Sequence, residues 1–277
     1  MAGHIGRQGA ESALIGWITP ILAALILLPN LVVVVMSFTA STTLQFPPPG
    51  FSLRWYAEVW QMAIGDTASL SRLTESFRVS VMIAVMTSVV CVLAGVPASY
   101  ALVRYPFPGH SAVEELLGLP IVFPAVVLGI SLLILVSASG IEFGIWQIIA
   151  AHAIIFLPFM IRNCMTALKG VDPALEEAAK TLGASPLRTF VEVVLPLMRG
   201  GIASGVLLVF IMSFNEFTLS YFLYTVDVFP LSIWLFQQSN TSFSPAIFAI
   251  SALTIFFNAA IILIVDAIVG KRDGALQ

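Results

Sequence analysis

Long stretches without an ionised side chain constrain this chain more than any other feature. No charged residue occurs between Glu11 and Arg54, and none between Arg78 and Arg104. A membrane-spanning helix needs about 20 mostly apolar residues. Residues 14–38, 79–103, 116–138, 143–161, 201–223 and 245–269 reach or approach that length. Charged residues make up 10% of the chain, against roughly 25% in a soluble domain, and mean hydropathy is +1.01. So few charges cannot cover the surface of a water-soluble protein of 277 residues. Backbone N–H and C=O groups in lipid must be satisfied within their own segment, so the spans are helices rather than strands. The expected fold is all-α and polytopic, with six transmembrane helices. Residues 1–13 form an N-terminal tail, 14–270 the membrane domain and 271–277 a second tail. The first apolar stretch outruns the roughly 7–15 residues of a signal-peptide core, so it reads as a retained helix.

Lysine and arginine collect on the cytoplasmic side of a membrane protein. With the N-terminus inside, Arg7, Arg104, Arg162, Lys169, Lys180, Arg188, Arg199, Lys271 and Arg272 all fall inside. Arg54, Arg72 and Arg78 fall outside. Both termini are therefore expected in the cytoplasm. The opposite orientation would expose the most basic loop.

The remaining polar signals sort by position. The first outside loop, 39–77, carries the Pro47-Pro48-Pro49-Gly50 run, which reads as an extended strip. Ser52 then caps a short helix with Trp55, Tyr56 and Trp60, aromatics that suit a membrane-interface belt. A second outside or partly re-entrant helix is expected near Leu231–Gln238. Prolines occur within several spans; Pro120 and Pro124 are equally well read as hinges or as prolines that a membrane helix tolerates. Arg162 and Asn163 are read as ending the fourth span on the cytoplasmic side. Cys91 and Cys164 read as small buried apolar residues, since neither has a histidine or second cysteine nearby. The net charge of −3 gives no basis for nucleic-acid binding.

The inside segment within 164–199 is the most polar. Asp172-Pro173 is an N-cap followed by proline at the first helical position. Glu176 and Glu177 sit early in the helix, where negative charge suits its dipole. Leu175, Ala178, Ala179 and Leu182 fall at i, i+3, i+4 and i+7 and form one apolar stripe. Gly183 ends the helix, and Ser185-Pro186 starts a second that ends near Pro196. A helix this short is unstable alone, and its small apolar face is suited to a groove on another body. Lying on lipid headgroups is the competing reading, weakened by a narrow stripe that has no aromatic residue.

Glu177-Ala178-Ala179, three residues, Gly183, nine residues, Val193, one residue and Leu195-Pro196 resembles the EAA loop of type I ABC importer permeases. Valine for isoleucine at 193 is the single departure, and the resemblance extends over roughly 76–269. It implies that Glu177, Ala178, Ala179, Leu182 and Gly183 couple the chain to an ATPase. It also implies a second, similar but different permease, two cytoplasmic ATP-binding subunits, an external solute-binding protein and a bacterial inner-membrane location. No Walker-type phosphate loop occurs in this sequence. The chain itself is therefore read as no enzyme and without cofactor, with ATP and Mg on the partner ATPase. The segments 102–109, 124–133 and 168–172 resemble the spermidine/putrescine-type branch, which implies a small organic amine. The same branch carries aminoethylphosphonate, opines, 4-aminobutyrate and thiamine.

Glu216, with Asn215 before it, lies inside the fifth span. An acid there is a functional-site candidate because burying it is costly. Two readings stand equal: contact with a cationic solute, or a structural role in which Glu216 pairs with a polar group of the partner permease or faces water at the outer end. His152 is read as a packing histidine, since no acid lies within one helical turn of it. An ion-coupled secondary transporter is the competing class, but the inverted repeats it predicts are not visible. An intramembrane enzyme would need a nucleophile with a base, or a metal cluster, and neither is visible.

Overall fold

The computed structural model describes residues 3–64, 70–241 and 243–273. Residues 65–69 of the expected first outside loop, and the ends of both expected tails, lie outside the described residues. Among those described, every extended element is a helix, apart from an isolated antiparallel bridge between Thr39 and Phe51. Among the described residues, four helices are long and apolar enough to cross a membrane by themselves. They are α1 (Gly3–Met36), α3 (Leu70–Arg104), α6 (Ile145–Lys169) and α13 (Ala246–Asp273), with α2 (Arg54–Ile64) between the first two. Two further bent pairs raise the count of spans to six if each is one crossing.

The first bent pair divides the expected span 116–138. Helix α4 (His110–Val122) and α5 (Ala125–Ser139) meet at Phe123-Pro124, and the axes of His110–Pro120 and Ala125–Ser139 turn by 91°. Proline disfavours helical geometry in the residue before it, and Phe123 is extended at φ −72°, ψ 138°. The carbonyl of Pro124 then accepts the first bonds of α5, from Val127 and Leu128. Pro120 stays inside α4, so the break belongs to Pro124. Fifteen residues in α5 rise roughly 22 Å, less than the hydrocarbon core of a bilayer.

The second bent pair, Pro186–Leu197 with Arg199–Phe214, bends upstream of the expected span 201–223, and that span is itself divided further on. Helix α10 (Arg199–Phe214) stops at Asn215, and α11 (Thr218–Leu223) begins after Phe217. Upstream, the segment Pro186–Leu197 meets α10 at 71°.

The chain divides into two compact units, 1–66 with 238–257 and 67–237 with 258–277. In the first unit the chain after α1 folds back on α2. The Trp55 indole donates to the Thr39 carbonyl at 2.8 Å, and the hydroxyls of Ser37 and Tyr56 lie 2.7 Å apart. The Ser52 hydroxyl accepts from the Arg54 N–H, which starts α2. Trp55 is buried and Trp60 exposed, so of these two tryptophans it is Trp60 that has the position a membrane-interface anchor needs.

In the second unit α3, α6 and α10 form the core. Cys91, Val96, Phe156, Met160, Cys164, Leu168 and Val209 are buried together. A second cluster joins Val79, Ile83, Ile148 and Ile149 to Leu219 and Leu223 of α11. Both cysteines are fully buried and unbridged. Close approach of α6 and α10 depends on Gly201, where an added Cβ would overlap Ala167 and come within 3.0 Å of the Asn163 carbonyl. Gly201→Ala is expected to destabilise the protein by about 1–3 kcal/mol, because backbone rather than a flexible tip must move. Thermal denaturation in detergent measures this, and an unchanged midpoint would contradict the packing.

Candidate functional site

The polar loop after α6 follows its local chemistry closely. The Asp172 carboxylate accepts from the Ala174 N–H at 2.9 Å and opens α7 (Pro173–Thr181). The helix ends on Gly183 at φ +89°. Ala184 N–H bonds the Ala179 carbonyl and Gly183 N–H bonds that of Lys180, the paired bonds of a Schellman cap. No other atom approaches within 4 Å of where a Gly183 Cβ would sit. Glycine is needed there for its backbone angle, not for space inside this chain. The Ser185 hydroxyl then accepts from Arg188 N–H and caps α8 (Pro186–Thr189). One π-helical turn, Phe190–Val194, leads into α9 (Leu195–Leu197). Its wider spacing lets Leu195 N–H reach Phe190 just before Pro196, which has no N–H to give.

Helix α7 is amphipathic in the reverse of the usual sense. Its Glu176 is buried at 4% exposure. One carboxylate oxygen accepts from Arg104 Nε at 2.7 Å, and the other from the Tyr100 hydroxyl at 2.8 Å. Arg104 also donates through Nη2 to the Val171 carbonyl at 2.8 Å. The apolar stripe points away from this anchor. Leu182 is 89% exposed and Leu175 47%, Glu177 and Ala178 are exposed, and Ala179 is half-buried. Water normally takes the charge and the core takes the leucine. Here the core takes a paired charge, and the leucines are left for another surface.

Sequence reading missed Arg104 and Tyr100 as partners, since 72 and 76 residues separate them from Glu176. It gave Glu177 a coupling role and Glu176 only a favourable place in the helix dipole, whereas Glu176 is the one that is buried.

The acid expected inside the fifth span also turns inward. Both oxygens of Glu216 accept from the Leu219 N–H, at 2.9 and 3.0 Å, and one accepts from Ser220 N–H at 3.0 Å. The carboxylate thus caps α11 and satisfies donors that the helix break would leave orphaned. His152 Nε2 lies 3.3 Å from Glu216 Oε2, and the two side chains are 1% and 9% exposed. The same ring faces the Ser213 hydroxyl at 2.8 Å and that of Ser220 at 3.1 Å. In α12 (Leu231–Thr241), Ser232 donates to the Glu216 carbonyl. His152 therefore has an acid, supplied from another element rather than from its own helix. Asn215 takes the other direction: it is exposed and pairs its amide with Asn258 of α13, at 3.2 and 3.4 Å.

Arg162 and Asn163 lie within α6, which continues to Lys169. They line a polar cleft with Thr166 and Ser204. No group of three or more potential metal ligands occurs among the described residues.

Residues 91–273 match the family described as binding-protein-dependent transport system inner membrane component. The spermidine/putrescine transport system permease protein PotC of Haemophilus influenzae is 30% identical over 224 residues, which is 81% of this chain and 84% of that protein. PotC of Escherichia coli K12 is 29% identical over 260 residues, 93% of each chain. The molybdate/tungstate permease WtpB of Thermococcus kodakarensis is 39% identical, but over 142 residues, 51% of this chain and 57% of that one. Among solved structures, a bacterial ABC transporter that imports alginate superposes with a TM-score of 0.64 at 18% identity and covers 98% of both chains. The inward-facing methionine transporter MetNI gives 0.60 at 18% identity, over 72% of this chain and 95% of that one.

Glu216→Gln removes the carboxylate charge that faces His152 and one acceptor from the α11 cap. It is expected to cost about 1–3 kcal/mol and to lower the denaturation midpoint in detergent. An unchanged midpoint with abolished uptake would instead place the carboxylate on the solute path.

Proposed function

We propose how transport is driven and what is carried on the premise that this chain belongs to the family of binding-protein-dependent transport system inner membrane components. It is the permease component of an ABC importer. The chain supplies the path, and a separate polypeptide supplies ATP hydrolysis, with ATP and Mg bound there. The observation that carries this reading is the reversed face of α7. Leu175, Ala178 and Leu182 are exposed while Glu176 is held inward, so the helix is fixed to its own bundle and presents an unpartnered apolar stripe outward. A groove on an ATPase subunit fits that stripe. Glu177, Ala178, Ala179, Leu182 and Gly183 are the coupling residues of this proposal. Both termini lie in the cytoplasm of a bacterial inner membrane, which puts α7 on the side where ATP is. A second, similar permease completes the path, two ATPase subunits drive it, and an external binding protein delivers the solute. Closure of the ATPase pair draws the two coupling helices together and tips the bundle.

The proposed solute is a small organic cation of the polyamine type. Support comes from coverage: the spermidine/putrescine permeases align along 81–93% of this chain. Oxyanion permeases align along 51–68%, and an oxyanion is the second reading. In this proposal Asn215, exposed beside the break in the fifth span and paired with Asn258, meets the solute. Glu216 shapes that break from behind.

Leu182→Glu changes a side chain that is 89% exposed, so insertion is expected to stay normal. An unpaired charge forced into an apolar groove costs several kcal/mol, so the amount of ATPase that co-purifies is expected to drop by about ten-fold or more. Retention of the ATPase would refute the docking face. In proteoliposomes of the intact complex, radiolabelled spermidine uptake should be competed by putrescine and not by molybdate. The reverse pattern would replace the amine with an oxyanion.

A further inference from the structure

We infer that Arg104, Tyr100 and Glu176 form the joint through which motion of α7 enters α3. This rests on the coupling reading of α7 and adds the route by which the motion leaves it. Covalent connection alone would pass that motion to α6 and α10, on either side of the loop. The buried carboxylate creates a third attachment, to a helix 72 residues away in sequence.

The geometry is that of a rigid fork. Arg104 and Tyr100 stand one turn apart on the last turns of α3, so they share a face. Each takes a different oxygen of Glu176, at 2.7 and 2.8 Å. Arg104 Nη2 holds the Val171 carbonyl at 2.8 Å, just before the cap of α7. The far side of the loop is tied to the same place, because the Phe190 ring meets the Tyr100 ring edge-on at 4.9 Å. The entry to α7, its first turns and the start of the π turn thus converge on two residues of α3. Apolar contacts slide at little cost, whereas a charge-assisted hydrogen bond has a fixed length and direction. Removing one member leaves the other charge buried and unpaired, so the joint holds or breaks rather than creeps. From there α3 carries the displacement through Cys91 and Val96, which are buried against Phe156, Met160 and Cys164 of α6.

The test uses the whole complex, with its ATPase subunits, in lipid nanodiscs and proteoliposomes. Nitroxide labels go on Lys180→Cys, off the docking stripe, and Leu93→Cys of α3, both exposed; the native cysteines are fully buried. Pulsed electron–electron distances are read without nucleotide and with ATP–vanadate. Without further change the distance should be the same in both states, since α7 and α3 move as one body. In Arg104→Gln and in Glu176→Gln the ATPase should stay attached and hydrolyse ATP. The label distance should then differ between states, and spermidine taken up per ATP should fall about ten-fold, the size expected for a lost hydrogen bond to a charged group. Tyr100→Phe removes a single hydroxyl and should produce a smaller loss in the same direction; it decides the matter if the charge variants fail to insert. State-independent distances and unaltered uptake per ATP in the variants would overturn the joint and leave the docking face standing. An ATPase that never binds the unmodified α7 would remove the coupling reading, and the joint with it.

Discussion

A backbone N–H or C=O released inside a bilayer has no water to turn to, and that constraint organises this structure. A continuous helix meets it automatically. Each place where the chain departs from a continuous helix has to bring its own partner. At the break in the fifth span the partner is the Glu216 carboxylate, which accepts from Leu219 and Ser220. At the break in the third span it is the Pro124 carbonyl, which accepts from Val127 and Leu128. At Pro196, which gives no N–H, the chain widens by one π turn instead. The prolines at 20, 29, 97, 120 and 158 stay within helices, so proline alone does not decide where a span divides.

Local chemistry was therefore legible wherever the signal and its partner sat within a few residues. Asp172, Gly183 and Ser185 each act on a backbone group no more than five positions away, and each was readable before any coordinates. Relations across the bundle were not. Nothing in residues 201–223 marks a break, since the pattern is apolar on both sides and Glu216 reads there as an isolated acid. Its role appears when His152 and the backbone N–H groups of Leu219 and Ser220 converge on it. The adjacency of Glu176 and Glu177 hid a difference that only Arg104 reveals. The stripe on α7 was found correctly by periodicity, yet periodicity cannot say which face meets the protein. The usual assumption would have buried the leucines.

The two buried acids look alike in composition and do different work. Glu216 is held mainly by backbone donors and one histidine, all close to the helix it starts, so it stabilises a local change of direction. Glu176 is held by side chains from a distant helix, so it ties two elements that the sequence keeps far apart. A buried ion pair is poor evidence for stability, because an apolar pair of similar volume often serves as well or better. What it supplies is a single allowed geometry. That property matters little in a static core and matters a great deal in a helix whose position has to be passed on.

Helix α6 connects the two nodes. His152 sits on it, and Leu168 and Val171 near its end lie beside the Arg104 fork. Sixteen residues separate His152 from Leu168, roughly 24 Å along an unbroken helix. Over that length α6 is buried at Phe156, Met160, Ile161, Cys164 and Met165, packed between α3 and α10, with Gly201 letting α10 come close. Densely packed interiors transmit displacement instead of absorbing it. On the proposed coupling, a push at α7 would meet a strut with little room to yield between it and the break at Asn215. The pliable points are the breaks themselves, where a few hydrogen bonds, not a packed helix, set the angle between one segment and the next.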